Sequence, residues 1–246
     1  MLNLVILEDK EKKQPNRFME KAKKLAAEKA VTYLQDGMLI GIGTGSTVFY
    51  FIEALIKRCQ HGLKIKAISS SSRSTEQALT GGVIFEDINL IKHIDLTIDG
   101  TDEIDPQFRM IKGGGGALLR EKILASCSSQ MIVIADETKL VNQLGKQKLP
   151  VEILPFASLT TIEHINKLGF EGVLRKNQDG TPYITDNKNY IYDIFYPNLI
   201  KTPEEDHIKL ISIPGVIETG FFFNLAKKII VGYENGDIEE KNYYAI

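Results

Sequence analysis

Four consecutive glycines stand between a lysine and an arginine–glutamate pair in Lys112-Gly-Gly-Gly-Gly-Ala-Leu-Leu-Arg-Glu121. A glycine inside regular structure costs about 0.5–1 kcal/mol, so a run of them implies a backbone nest or a close approach to a ligand. Glu121 has Ala117, Leu118, Leu124 and Ala125 at i−4, i−3, i+3 and i+4, which sets it on an apolar helix stripe. A carboxylate there loses hydration, its pKa rises, and it becomes a better general base. The alternative for the same position is a structural glutamate paired with a lysine. Arg120 has similarly apolar neighbours, which also fits a helix that is simply well buried.

Two other stretches carry chemistry. Asp99-Gly-Thr-Asp-Glu-Ile-Asp105 crowds four carboxylates into seven positions. Such crowding is unfavourable unless a cation, a proton or a hydroxyl-rich substrate meets the acids. The spacing is not that of a calcium loop, and the nearby His93 reads as structural. An Asx-turn with solvated acids is the competing reading. In Gly41-Ile-Gly-Thr-Gly-Ser-Thr47, glycines admit a ligand to the backbone and a following helix offers free N–H groups. Thr44, Ser46 and Thr47 add hydroxyls, which suits a phosphate. No Gly-Lys-Ser/Thr closes this loop, and Ser46 stands where a dinucleotide fingerprint needs its third glycine. A tight strand-to-helix turn with a Ser/Thr cap is the alternative.

Each of these loops must be held by its neighbours. The sequence predicts helices over Arg17 to Gln35, Thr47 to Gln60 and Ala117 to Cys127, with a shorter helix containing Glu76 to Leu79. Strand-like runs occupy Met38 to Ile42, Lys64 to Ser69, Ile94 to Ile98 and Gln130 to Ala135. Alternating strands and helices imply a parallel sheet covered on both faces, with ligands beyond the carboxyl ends of its strands. After Leu144 the pattern changes. A proline-bearing run from Leu149 to Phe156 and a helix over Leu159 to Leu168 precede β-like runs at Val173 to Lys176, Pro182 to Thr185 and Tyr190 to Phe195. This reads as a smaller α+β unit, with a return near Pro214-Gly215 and a hairpin over Lys228 to Glu240 turning at Glu234-Asn-Gly236.

Length and charge narrow the partners. The chain has 246 residues, 43% of them apolar, and a net charge of −2, which gives no field for nucleic acid or an anionic membrane. Its partner is expected to be small. Cys59 and Cys127 lie far apart in helix-like segments, so free cysteines and a reducing, cytoplasmic setting are expected. The apolar run Met1 to Leu7, followed by the charged Glu8 to Lys13, is too short to span a membrane and lacks a signal-peptide layout.

The motifs together resemble the A-type ribose-5-phosphate isomerases. The resemblance rests on Gly43-Thr-Gly-Ser-Thr47, Asp99-Gly-Thr-Asp-Glu103, Lys112-Gly-Gly-Gly-Gly with Arg120-Glu-Lys122, and Ala135-Asp-Glu-Thr-Lys139. Lys148-Leu-Pro-Val-Glu152, Thr185-Asp-Asn187 and Pro214-Gly-Val-Ile-Glu-Thr-Gly220 follow in the family's order. Thr101 and Lys188 depart from residues frequent at their positions, and the first fifteen or so residues have no counterpart.

The resemblance implies a Rossmann-like catalytic domain over residues 1–147 and 215–246, and a small ferredoxin-like α+β domain over 148–214. It implies that Thr44, Gly45, Ser46 and Thr47 bind a sugar phosphate. Asp99, Gly100, Thr101, Asp102, Lys112, Gly113, Gly114 and Gly115 would line the reacting end, with Lys139 a further contact. Lys23 or Lys24 is a looser candidate for the phosphate. Glu121 would be the catalytic base, Lys112 would meet developing negative charge, and Asp99 or Asp102 would assist ring opening. No metal or organic cofactor is implied, and the assembly would be a homodimer or homotetramer. A sensor domain that binds sugar phosphate without catalysis is the rival reading; a CoA transferase or sugar-phosphate deaminase finds no support in these motifs.

Overall fold

The structure is a computed structural model that describes residues 17–243, so the apolar and charged run at the N-terminus lies outside the described residues. The chain opens with α1 (Arg17–Val31), β1 (Leu39–Ile42), α2 (Ser46–Gln60), β2 (Lys66–Ser69), α3 (Ser72–Leu79), β3 (Ile84–Phe85) and β4 (Ile94–Asp99). It continues through β5 (Glu103–Ile104), β6 (Met110–Ile111), α4 (Leu118–Ser126) and β7 (Ser128–Asp136). Next come β8 (Leu149–Ile153), α5 (Ser158–Lys167), β9 (Gly172–Leu174), β10 (Tyr190–Ile194), α6 (Pro203–Ile211) and β11 (Val216–Thr219). Two-residue β12 (Phe221–Phe222) leads to β13 (Ala226–Gly232) and β14 (Ile238–Asn242).

The main sheet has the order β14-β13-β7-β4-β1-β2-β3, parallel throughout except for the β13–β14 hairpin. From β1 the chain proceeds one way to β2 and β3 and the other way to β4 and β7. The loops after β1 and β4 therefore flank a crevice at the topological switch point, the Rossmann-like arrangement. Because both faces are covered, the inner strands are buried on both sides: Ile40, Ile42, Ile98, Ile132 and Ile134 have no exposed surface. On one face they pack against Ala26, Ala27 and Ala30 of α1 and Phe51, Ile52 and Leu55 of α2. The other face packs Met131, Val133 and Val231 with Leu118 and Ala125 of α4 and with Phe222.

A second sheet has the order β11-β8-β10-β9, and its chain order is β8-α5-β9-β10-α6-β11. That is the ferredoxin-like split βαβ pattern. The small sheet thus draws on residues 216–219 as well as on 148–214. A third sheet, β12-β6-β5, links the two by pairing Phe221 and Phe222 with Ile111 and Met110.

Three local readings differ from the structure. Helix α1 stops at Val31 rather than Gln35, because Thr32, Tyr33 and Leu34 donate to the carbonyls of Lys29, Ala30 and Val31 in i→i−3 bonds that tighten the last turn. Residues 182–185 join no strand and keep only isolated bridges, Lys176 to Pro182 and Ile184 to Tyr190; Pro182 has no N–H to give a ladder. Helix α6 was not anticipated, although Thr202-Pro-Glu-Glu-Asp206 is a helix start, with proline in the first turn and three acids at the positive end.

Candidate active site

Asp99 ends β4 with no exposed surface, and its Oδ1 accepts from the amides of Thr44 (3.1 Å) and Gly100 (2.7 Å). One carboxylate oxygen therefore ties the two crevice loops together. Gly43 leaves room for it: a Cβ there would lie 1.9 Å from Asp99 Oδ1. Beyond Gly43 the Thr44 hydroxyl turns toward Ser70 (2.7 Å) and Ser71 (2.8 Å) at the end of β2. No side chain caps α2, so its first amides remain open to an anion and the alternative reading of a Ser/Thr cap is not met.

Lys112 follows β6 and brings its ammonium 2.9 Å from Asp99 Oδ2 and 3.5 Å from Glu121 Oε2. All three side chains are at most 3% exposed. The ammonium directs its hydrogen bond at the Gly100 carbonyl, so its hold on Asp99 Oδ2 and Glu121 Oε2, which have no aligned donor, is electrostatic. Two buried acids share one cation, which favours a retained proton. Burial, reinforced by the charge of Asp99 and opposed by Lys112, pushes the Glu121 carboxyl up to about 8. Burial also raises Asp99, against the attraction of Lys112. Desolvation works against the Lys112 charge, but Asp99 and Glu121 outweigh it and hold the ammonium above its ordinary value. Glu121 is thus paired with a lysine, and burial raises its carboxyl above the ordinary range.

The glycine run closes the cavity. Gly114 N–H donates to Asp102 Oδ2 at 2.7 Å, and a Cβ on Gly114 would meet Asp102 Oδ1 at 2.7 Å. Thr44 to Thr47, Gly100 to Asp102, Lys112 to Gly115, Glu121 and Lys139 all border one cavity. Asp99 lies behind this wall. Lys139 reaches it from the turn after β7, where Asp136 accepts from the Thr138 amide at 3.0 Å. Neither Lys23 nor Lys24 borders it; Lys24 sits on α1 beside Glu28.

The acidic loop divides in two. Asp102 borders the cavity and Asp99 stands behind it against Lys112, whereas Glu103 and Asp105 point elsewhere. Glu103 is buried and accepts from the amides of Gly145 (2.7 Å) and Gln147. Asp105 accepts from the amides of Gln107 and Arg109 (3.0 Å each) and from Arg109 Nε (2.7 Å). His93 bonds Ser129 at 2.8 Å, away from the cavity.

Several contributors were not anticipated. Ser70 and Ser71 orient Thr44, and their signal was the serine run Ser69 to Ser72 at a strand's carboxyl end. Arg120 holds Asn187 Oδ1 (2.8 Å) and the Asp186 carbonyl (3.0 Å), which fixes α4 against the small sheet's loop. Buried Glu152 secures that loop by accepting from Thr185, Asn187 and Asn189.

Residues 66–236 match the ribose 5-phosphate isomerase A (phosphoriboisomerase A) family. A relative in Protochlamydia amoebophila, named ribose-5-phosphate isomerase A, is 57% identical over 216 residues, which cover 88% of this chain and 93% of that one. Among solved structures, ribose 5-phosphate isomerase from Plasmodium falciparum superposes with a TM-score of 0.88 at 40% identity, covering 91% of this chain and 99% of that one. A D-ribose-5-phosphate isomerase in complex with phospho-erythronic acid superposes with a TM-score of 0.86 at 36% identity, with the same coverage of 91% and 99%.

Proposed function

The chain belongs to the ribose 5-phosphate isomerase A family, and on that premise we propose that it interconverts D-ribose 5-phosphate and D-ribulose 5-phosphate through an enediolate. The observation that carries the reading is the buried Lys112 ammonium between Asp99 and Glu121 at the wall of a hydroxyl- and amide-lined cavity. Isomerisation moves one proton between C2 and C1 of the opened sugar and a second between the oxygens on those two carbons. Glu121 takes the first from one carbon and returns it to the other, and its raised pKa matches it to a weak carbon acid. As the proton leaves, negative charge grows on the substrate oxygens, where Lys112 and the glycine-loop amides stabilise it. The phosphate takes the hydroxyls of Ser46 and Thr47 and the open amides from Gly45 to Thr47, with Thr44 bordering the same cavity and Lys139 as a further contact.

Asp102 assists ring opening, since it borders the cavity, while Asp99 sits behind Lys112 and positions it. The phospho-erythronic acid held by a relative suits this scheme, because its planar carboxylate resembles the planar enediolate. The division into a catalytic unit (1–147 with 215–246) and a small unit (148–214) belongs to the same reading, with β11 carried across to complete the small sheet. So does a homodimer or homotetramer in the cytoplasm, acting in the non-oxidative pentose phosphate pathway. Among the described residues no helix is long and apolar enough to cross a membrane.

Incubation with ribose 5-phosphate followed by a ketose assay tests the proposal. Wild-type protein forms ketose, and does so with a chelator present, because Lys112 already occupies the place between the acids. Glu121→Gln lowers turnover by about 10²–10⁴-fold, the usual worth of a general base, and still binds phospho-erythronic acid. Binding without ketose in the wild type would favour the sensor reading, and near-normal turnover in the variant would remove Glu121 from the base role.

A further inference from the structure

The glycine loop is held from outside by two side chains of the arm between β9 and β10. Arg175 Nη1 donates to the carbonyls of Gly113 (3.2 Å) and Gly114 (3.1 Å), and the Tyr183 hydroxyl donates to the carbonyl of Gly115 (3.2 Å). Arg175 is itself fixed. Its Nε bonds Asp193 Oδ2 at 2.9 Å, Nη2 reaches Oδ1, and Lys148 binds the same carboxylate at 2.6 Å. The Arg175 side chain is 10% exposed and that of Asp193 is 2% exposed, so little water competes for these bonds. The guanidinium also lies 5.7 Å from the centre of the Tyr183 ring, which joins the two clamps into one unit.

Peptide geometry turns this outer grip into an inner one. In a trans peptide the carbonyl of one residue and the N–H of the next point in opposite directions. Arg175 draws the Gly113 carbonyl outward, and the Gly114 N–H accordingly reaches Asp102 at the cavity wall. It draws the Gly114 carbonyl outward by the same means, which turns the Gly115 N–H the opposite way. Among the described residues that amide has no partner, and Gly115 borders the cavity. The loop's own turn, in which the Gly116 N–H donates to the Gly113 carbonyl at 2.9 Å, fixes one of these carbonyls from within, whereas the Gly114 carbonyl has only Arg175 among the described residues.

We propose that Arg175 and Tyr183 are positioning residues that aim the glycine-loop amides, that of Gly115 foremost, at the oxygen on which the enediolate charge develops. The inference rests on the isomerase reading above. It gives the small sheet a part in catalysis although neither side chain needs to touch substrate.

Arg175→Lys separates this role from a structural one. Lysine retains a cation for Asp193 but lacks the rigid fork that reaches Asp193 and two carbonyls together. The expected result is a fall in kcat of about 10- to 100-fold with KM within about threefold, and a weakening of phospho-erythronic acid binding in parallel with kcat/KM. Tyr183→Phe removes one hydroxyl and gives a smaller fall in kcat, about threefold, with unchanged KM and thermal midpoint. If Arg175 serves only to pair with Asp193, the lysine variant keeps kcat within about twofold, and the proposal is overturned. Should Arg175→Lys fail to fold, Tyr183→Phe decides alone, and an unchanged kcat there overturns it as well. Failure of the isomerase reading looks different: the wild-type protein itself makes no ketose, and this inference falls with it.

Discussion

Asp99, Lys112 and Glu121 place two acids and one base out of water, and the protonation of that group governs when Glu121 can act. A base must be ionised to accept a proton. With Glu121 raised to about 8 by burial and by Asp99, kcat/KM should climb with pH and level off near that value, well above the ordinary carboxylate range. The same shift has a cost for folding whose sign is fixed by linkage. Between the ordinary glutamate pKa and about 8, the native protein holds a proton that the unfolded chain has released. Stability contributed by this position therefore falls as pH rises through the window. Glu121→Gln removes that slope, so its thermal midpoint should exceed the wild type's at about pH 9 and lose most of the advantage at about pH 5. Calorimetry at the two pH values checks it, and a difference independent of pH would mean that Glu121 is not the group carrying the shifted proton.

At the scale of elements, the strand-end loops interlock where a side chain of one fills the space left by a glycine of another, Asp99 against Gly43 and Asp102 against Gly114. Gly43 and Asp99 are the tightest case. An added Cβ at 1.9 Å from Oδ1 and 2.0 Å from Cγ must push the carboxylate away from the Thr44 and Gly100 amides and from Lys112. Gly43→Ala should cost about 1–3 kcal/mol of stability, as overpacking does, and lower kcat at least about tenfold because Lys112 loses its seat. Denaturant titration and turnover measured together test this, and full activity in a folded variant would refute it. The loops were legible in the sequence for the same local reason: glycines, hydroxyls and acids gathered at strand ends. The division of the acidic loop was not. Asp102 and Glu103 are adjacent, but Glu103 begins a strand in which successive side chains leave on opposite faces, so composition grouped what the backbone separates. Arg175, Tyr183, Ser70 and Ser71 escaped notice because their partners lie 26 to 68 positions away, a pairing that no local pattern encodes.

Across the whole molecule, the main sheet supplies the crevice and the small sheet holds the loop that closes it. Lys122 bonds Glu218 at 2.7 Å, Arg120 holds the loop at Asp186 and Asn187, and Asp186 accepts from the Ser72 amide at 2.9 Å. Binding in the cavity therefore requires both sheets to be folded. A ligand that binds only the native state stabilises it by RT ln(1 + [L]/Kd), about 2.7 kcal/mol at 100 times Kd. For a chain of this size each kcal/mol is worth roughly 2–4 °C. Phospho-erythronic acid at that level should raise the thermal midpoint by about 5–10 °C, and the whole unfolding signal should move as a single transition. Two sheets that unfolded independently would instead leave one transition fixed while the other moved, and scanning calorimetry with and without the ligand distinguishes the two. The single shift is expected because the anchor of the glycine loop, Arg175 on the arm that follows β9 of the small sheet, and the carboxylate that holds the crevice, Asp99 at the end of β4 in the main sheet, serve the same cavity.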